Sequence, residues 1–486
     1  MSLLGSIING VLSIVGALTQ QQTNGAPNTG VIRSYDFTVS RGQIAPDGYQ
    51  KDVLLINNQF PGPLIEANWG DTIQVTVHNQ ISNPSEGTSM HWHGLLQKGT
   101  PWYDGIPSVG QCPIAPGSSF TYTFQASLYG TTWYHSHYSA QYAGGLFGPL
   151  IIHGPSNAQY DIDLGPVMIN DWYHEEYFSI LESVVDPGGN PRPASDNNLI
   201  NGKMDFDCST KAAGDNTPCT DNAGLSRFKF TTGKTHRLRF INGGSQGIQR
   251  ISIDQHNMTI IANDFVPIPT PEAPPQHSGC APTFPPPAVP QTNPTPWQPS
   301  TTTKPTRPRP PPAKPWNIPD PGTCANDDLS LSVPYYSITP PTPATTKELS
   351  ISFYVNETGN FLWTLGGTSF RGNYNHPVLS QAQAGNLSFP AEWNVQNFGT
   401  NSSVRIVVNN LTPASHPMHL HGHNMEILSE GPGSWDGSSI TNPSNPIRRD
   451  VQLVRANGHM VMQYDTDNPD SDSGCADMYE LDELYE

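Results

Sequence analysis

Residues Thr72-Ile-Gln-Val-Thr-Val-His78 alternate polar and apolar side chains, and Val404-Arg-Ile-Val-Val408 follows a similar pattern much later in the chain. Successive side chains on an extended strand point to opposite faces, so runs of this kind predict strands with one face on a core. Val, Ile and Thr, which dominate them, suit a pleated surface. Charged residues make up 13% of the 486 positions, whereas glycine fills 44 and proline 49. Strand-period runs separated by so many turn formers predict an all-β fold of β-sandwich type. The length is enough for about three domains, each with its own core.

The period of two gives the histidines their meaning. His91-Trp-His93 and His135-Ser-His137 are His-x-His pairs, and His416-Pro-Met-His-Leu-His-Gly-His423 carries four imidazoles in eight positions. Two histidines spaced by two on a strand project the same way and act as a clamp. Neutral imidazole binds copper, zinc, iron or nickel, and among divalent ions a nitrogen-rich site has the highest intrinsic affinity for copper. A single pair would read as a polar strand face. Three of them predict a metal site, with copper first and zinc second.

Residues around these pairs carry a family resemblance. Met90-His-Trp-His-Gly94 is followed by Trp102-Tyr-Asp-Gly105, and Trp133-Tyr-His-Ser-His137 by Gly144-Gly-Leu-Phe-Gly148. Gln59-Phe-Pro-Gly-Pro-Leu-Ile-Glu-Ala-Asn-Trp-Gly-Asp71 and Asn445-Pro-Ile-Arg-Arg-Asp450 complete the set. Together with the late cluster, these stretches resemble the multicopper oxidases, and within them the ascomycete branch of the fungal laccases. The resemblance implies oxidation of phenolic small molecules one electron at a time at a type 1 copper, and reduction of dioxygen to water at a trinuclear cluster. It implies that His91 and His419 are type 2 ligands and that His93, His135, His137 and His421 are type 3 ligands. His416 resembles a type 1 ligand, while His423 has no ligand role. Asp196, within Asp-Asn-Asn-Leu-Ile-Asn-Gly202, corresponds to a carboxylate that accepts a phenol proton as the electron leaves; a general base placed there would lower the barrier. By itself the residue also reads as an ordinary loop aspartate.

One element of the family pattern is not found. The closing His-Cys-His-x-x-x-His motif, source of the type 1 thiolate and of three further imidazoles, has no counterpart, because no histidine follows His459. From Asp470 to Glu486 the chain is acidic and contains Cys475 without flanking histidines. A type 1 site needs a Cys thiolate beside two imidazoles. The expectation is therefore a partly retained type 2/type 3 site and a type 1 site lacking its Cys. The alternative to a working oxidase is a copper-binding but catalytically inactive, or misfolded, product.

The resemblance divides the chain into three cupredoxin-like β-sandwich domains: residues 30–155, 156–345 and 346–469, the last incomplete, preceded by a signal-like segment at 1–29 and followed by an acidic tail at 470–486. The second domain is interrupted at 267–321, where proline is dense; proline cannot donate to a sheet ladder, so a linker or polyproline II is expected there. A retained intron, a frameshift or a misplaced exon boundary would explain both this stretch and the tail.

A net charge of -18 argues against nucleic acid or anionic membrane as partner. No stretch is apolar enough to span a bilayer. Six cysteines suit an oxidising compartment: Cys208 and Cys219 can close a short loop, Cys280 and Cys324 bracket most of the proline-rich stretch, and Cys112 and Cys475 remain. Sequons at Asn257, Asn356, Asn386, Asn401 and Asn410 suit a glycosylated protein. A secreted, extracellular monomer is expected.

Overall fold

A computed structural model of the chain describes residues 25–189, 193–247, 249–254, 256–269, 326–399 and 402–468. The signal-like segment up to residue 24, nearly all of the proline-rich stretch, the acidic tail, Asn401 and three cysteines, Cys280, Cys324 and Cys475, lie outside these residues. The regular structure of the described chain is mostly strand; its two α-helices are short, Tyr177–Val185 and Val378–Gln383. None of its helices is long and apolar enough to cross a membrane.

Two four-stranded sheets of the first unit share one core. One sheet runs Lys51–Ile56, Ile32–Ile44, Thr72–Asn79 and Ser119–Gln125; the other runs Ile65–Asn68, Phe147–His153, Gly130–His135 and His91–Trp92. Along Thr72–Asn79 the alternation read from the sequence is reproduced, with Ile73, Val75 and Val77 fully buried between half-buried neighbours. Trp92 points away from the two histidines that flank it, into the shared core, where it packs on Tyr122, Phe124 and Tyr134. The inward residues thus hold the strand from one side while the imidazoles occupy the other.

The second unit contributes a three-stranded sheet centred on Ile162–Trp172, flanked by the antiparallel Asn197–Ile200 and the parallel His236–Asn242. Its disulfide, Cys208–Cys219, closes a short loop between cysteines 11 positions apart, with an S–S distance of 2.01 Å. The third unit holds a six-stranded sheet in the order Phe361–Leu365, Thr345–Val355, Ser403–Asn410, Gly458–Asp465, Met425–Pro432 and Ile447–Arg449. Here Ser403–Asn410 departs from simple alternation, because both faces of this central strand are covered. Val404, Ile406 and Val408 face the main core with Met425, Ile427 and Met460, while Val407 packs behind with Leu428 and Val461.

Apart from that sheet, a short ribbon pairs His416–His419 with Val451–Val454. It carries the late histidines toward the first unit. Contacts between the two units seat it there: Asn468 Oδ1 accepts from Gly99 N at 2.8 Å, and its Nδ2 donates to Gln97 O at 3.1 Å.

Ile427 is fully buried in the third-unit core, whereas Val355 is 61% exposed at the rim of the same sheet. Ile427→Ala is expected to destabilise by about 2–5 kcal/mol through lost burial and a residual cavity. Val355→Ala should change stability by less than about 0.5 kcal/mol. Urea unfolding of the two variants checks this, and equal shifts would contradict the assignment of the core.

Candidate metal centre

In the antiparallel pairing of His91–Trp92 with Gly130–His135, His91 lies directly opposite His135. Cross-strand partners share a face, and the two rings sit 5.2 Å apart. Each pair then adds its second member: His93 lies 5.7 Å from His91, and His137 6.0 Å from His135. The third unit supplies two more rings. His419 stacks on His93 at 4.0 Å with an interplanar angle of 14°, and His421 lies 4.2 Å from His91 and 5.1 Å from His137. Six of the seven histidines singled out in the sequence therefore converge.

His416 stands apart from them. It shares a strand with His419 but is three residues away, an odd spacing that turns the two side chains to opposite faces. Its ring meets Trp363 at 4.5 Å, its Nε2 lies 3.1 Å from Thr412 Oγ1, and it borders a cavity of ≈ 610 Å³ walled by Trp363, Phe370, Trp393 and Val395.

Hydrogen bonds fix which ring nitrogen faces the cluster. A backbone carbonyl can only accept, so His91 Nδ1, 2.7 Å from Asp104 O, and His419 Nδ1, 2.7 Å from Asp450 O, each carry a proton. The same holds for His135 Nδ1 against Ser136 O at 3.0 Å. For His93 the outer nitrogen is Nε2, 3.2 Å from Asp450 Oδ1; for His421 it is Nδ1, 3.1 Å from Asp104 Oδ2. The nitrogens left over are lone pairs pointing inward. His91 Nε2, His93 Nδ1 and His419 Nε2 are buried with no hydrogen-bond partner among the described residues. Ligand atoms of these three residues lie within 4.8 Å of one another.

Electrostatics favour the neutral form of His93, His135, His137, His419 and His421. Burial pushes His93 down to about 4, and burial together with the nearby His91 and His421 pushes His137 down to about 3. His135 and His419 are forced well below the ordinary range by burial first and by neighbouring imidazoles second. Asp104 behaves in the opposite sense: burial opposes its charge, yet His91 and His421 beside it hold its carboxyl well below the usual range. Asp450 and Asp264 are pushed up to about 6, chiefly by burial.

An unpartnered buried nitrogen costs on the order of 1–3 kcal/mol, and several converging lone pairs are a poor arrangement for anything except a cation. Metal-binding imidazoles commonly donate their outer N–H to a carbonyl or carboxylate, which sets tautomer and orientation. His91, His93, His419 and His421 all do this. An all-imidazole donor set of neutral rings suits copper, so the residues present fit that ion.

Asp104 and Asp450 escaped the sequence reading as functional groups, although both stand inside motifs quoted above. Their signal was only that a buried acid in a histidine-rich chain needs a partner. Asp196 Oδ2 accepts from His174 N at 2.7 Å, and the residue is not among the described residues lining the cavity beside His416. His423 Nδ1 is 3.0 Å from His421 O, and its ring meets Tyr464 rather than the six-histidine group.

Profiles described as multicopper oxidase match residues 38–157, 163–272 and 367–471. The chain is 37% identical over 481 residues to oxidoreductase OpS5 of Beauveria bassiana, covering 91% of this chain and 78% of that protein. It is 35% identical over 481 residues to laccase-2 of Botryotinia fuckeliana, covering 92% and 79%. Among solved structures, the crystal structure of the laccase from Botrytis aclada superposes with a TM-score of 0.77 at 32% identity, over 91% of this chain and 84% of that one.

A histidine with a depressed pKa stays neutral in the fold while the unfolded chain takes up its proton, so stability falls as pH falls through that window. For His137 the window runs from 6.5 down to about 3. In the metal-free protein, His137→Gln should remove this loss. The unfolding free energy of the variant relative to the parent should rise as pH falls across the window, by up to about 1.4 kcal/mol per pH unit. A difference that stays constant in denaturant titrations over that range would contradict the depressed value.

Proposed function

The chain belongs to the multicopper oxidase family, and on that premise we propose that it is a secreted, monomeric laccase-like enzyme that oxidises phenolic small molecules and reduces dioxygen to water, with copper held by His91, His93, His135, His137, His419 and His421. The observation that carries this reading is the set of inward, unpartnered imidazole nitrogens. Copper, when bound, supplies one-electron transfer from the donor and the reduction of dioxygen. The protein's part is to keep the rings neutral and aimed. Asp104 holds the outer nitrogens of His91 and His421, and Asp450 those of His93 and His419. Each aspartate thus positions rings from two different units, Asp104 through its carbonyl at His91 and its carboxylate at His421, and Asp450 through its carbonyl at His419 and its carboxylate at His93.

A phenolic donor is supported by the cavity beside His416, whose aromatic and aliphatic walls would stack and desolvate a ring. Asp196 is carried forward only from the sequence resemblance. If it takes the phenol proton, Asp196→Asn should lower turnover of phenols and shift the pH profile while leaving a non-phenolic electron donor unaffected.

One observation favours a second reading, copper held without turnover. The described neighbours of His416 include no cysteine, and Cys112 is already disulfide-bonded. Copper-loaded protein of verified mass should therefore lack the intense visible band of a copper-thiolate bond. Oxygen uptake with a methoxyphenol separates the two readings. Uptake that a copper chelator abolishes supports the oxidase, and stoichiometric copper without uptake supports the binding protein.

The reading as a secreted glycoprotein is supported by the Cys208–Cys219 bond and by sequons at the exposed Asn257 and Asn386 and the half-buried Asn356. Asn410 is an exception, being 1% exposed, with its Nδ2 donating to Ala414 O and Arg455 O at 2.7 and 2.9 Å. Glycopeptide mass spectrometry of protein from a secreting host is expected to find glycan at Asn257, Asn356 or Asn386 and none at Asn410. A fully occupied Asn410 in folded protein would contradict its placement.

A further inference from the structure

Behind the two early clamps lies a buried amide that bonds to a residue between the histidines of one and to a residue on the approach to the other. Gln141, fully buried, follows His137 by four residues in the turn after the second pair. Its Oε1 accepts from Ser136 Oγ at 2.8 Å and from Thr88 Oγ1 at 2.9 Å. Ser136 stands between His135 and His137, its side chain on the opposite face from theirs. Thr88 lies on the approach to His91, fixed there by a reciprocal backbone pair with Ile114 at 2.8 and 3.1 Å. One carbonyl oxygen thus ties together the backbones that carry the two clamps.

The other end of the amide is anchored as firmly. Gln141 Nε2 donates to Gly87 O at 2.8 Å and to Glu86 Oε2 at 3.1 Å. Glu86 is 3% exposed and is held by Arg41 and by the Tyr177 hydroxyl, while its own backbone carbonyl accepts from Asn79 Nδ2 at 2.8 Å. Two hydroxyl donors at one end, and a carboxylate and a carbonyl at the other, leave the amide a single orientation in which every bond is made. A buried amide with all four of these bonds made is rigidly held.

We propose that Gln141 is a positioning residue that sets the separation of the His91/His93 and His135/His137 clamps, and through it the copper affinity and geometry of the site. This rests on reading the clamps as copper ligands. Gln141 itself reaches no ligand nitrogen, so its effect passes through the backbone at Thr88 and Ser136. If it acts as one brace, cutting either arm removes the whole coupling. The two arms should then be non-additive, unlike two independent hydrogen bonds.

The test is a mutant cycle on the full chain, read by chelator competition for Cu(II) and by the electron paramagnetic resonance spectrum of the bound ion. Thr88→Val, Ser136→Ala and Gln141→Leu should each weaken Cu(II) binding about tenfold, in the range typical of residues that orient metal ligands, and should alter the Cu(II) hyperfine pattern. The Thr88→Val/Ser136→Ala double variant should weaken binding by no more than about threefold beyond either single one. Thr88→Ser, which keeps the hydroxyl, should match the parent in both readouts. Multiplicative losses in the double variant, or parental affinity and spectrum in the folded single variants, would overturn the brace. If Gln141→Leu does not fold, the two hydroxyl deletions decide alone. A parent chain that takes up no Cu(II) would instead overturn the reading of the clamps as ligands.

Discussion

The structure depends on packing six imidazoles together, with burial favouring the uncharged form of His93, His135, His137, His419 and His421. A protonated ring there would face both desolvation and its neighbours' repulsion, and the depressed values at His93, His135, His137 and His419 express that cost. Neutral rings carry one donor and one acceptor nitrogen each. With carbonyls or carboxylates taking the donors of His91, His93, His135, His419 and His421, these rings have an outward N–H and an inward lone pair. The polarity of the cavity thus follows from satisfying its periphery.

That requirement also binds the first and third units. Asp104 belongs to the first unit and reaches His421 of the third; Asp450 belongs to the third and reaches His93 of the first. The exchange is reciprocal, so moving one unit would break hydrogen bonds on both sides. Local backbone geometry supports it. Gly94 has φ +74° and a Cβ there would lie 2.3 Å from Asp450 Oδ2, so a side chain at this position would push the carboxylate off His93. The glycine after the first clamp is needed both for its left-handed backbone and for the approach of the neighbouring unit.

Much of this was legible in the sequence, for a physical reason. Strand periodicity is local, so the alternation at Thr72–His78 and the facing of His91 with His93 follow from spacing alone. The convergence of three distant histidine groups came only through family resemblance, since no local rule places residue 93 beside residue 419. What could not be read were groups whose role is relational. Asp104, Asp450 and Gln141 matter because of what surrounds them, and an isolated aspartate or glutamine has no sequence signature of burial. Val407 shows the same limit within the fold: an apolar residue on a strand face reads as solvent-side until the neighbouring strands are known to cover it.

The separation of His416 from the cluster has its own consequence. His416 and His419 sit on one strand, Pro417 and Met418 between them, with side chains directed to opposite faces. At about 3.3 Å per residue, the two lie roughly 10 Å apart along the chain. The apolar cavity at His416 and the imidazole chamber at His419 therefore cannot share a ligand, yet a single extended segment connects them covalently. That segment is clamped along its length by pairing with Val451–Val454, which begins at the residue after Asp450. The end of that strand away from the cavity is held by the Asp450 carbonyl, which accepts from His419 Nδ1 at 2.7 Å. Cavity and chamber are thus distinct in space yet joined by one paired strand.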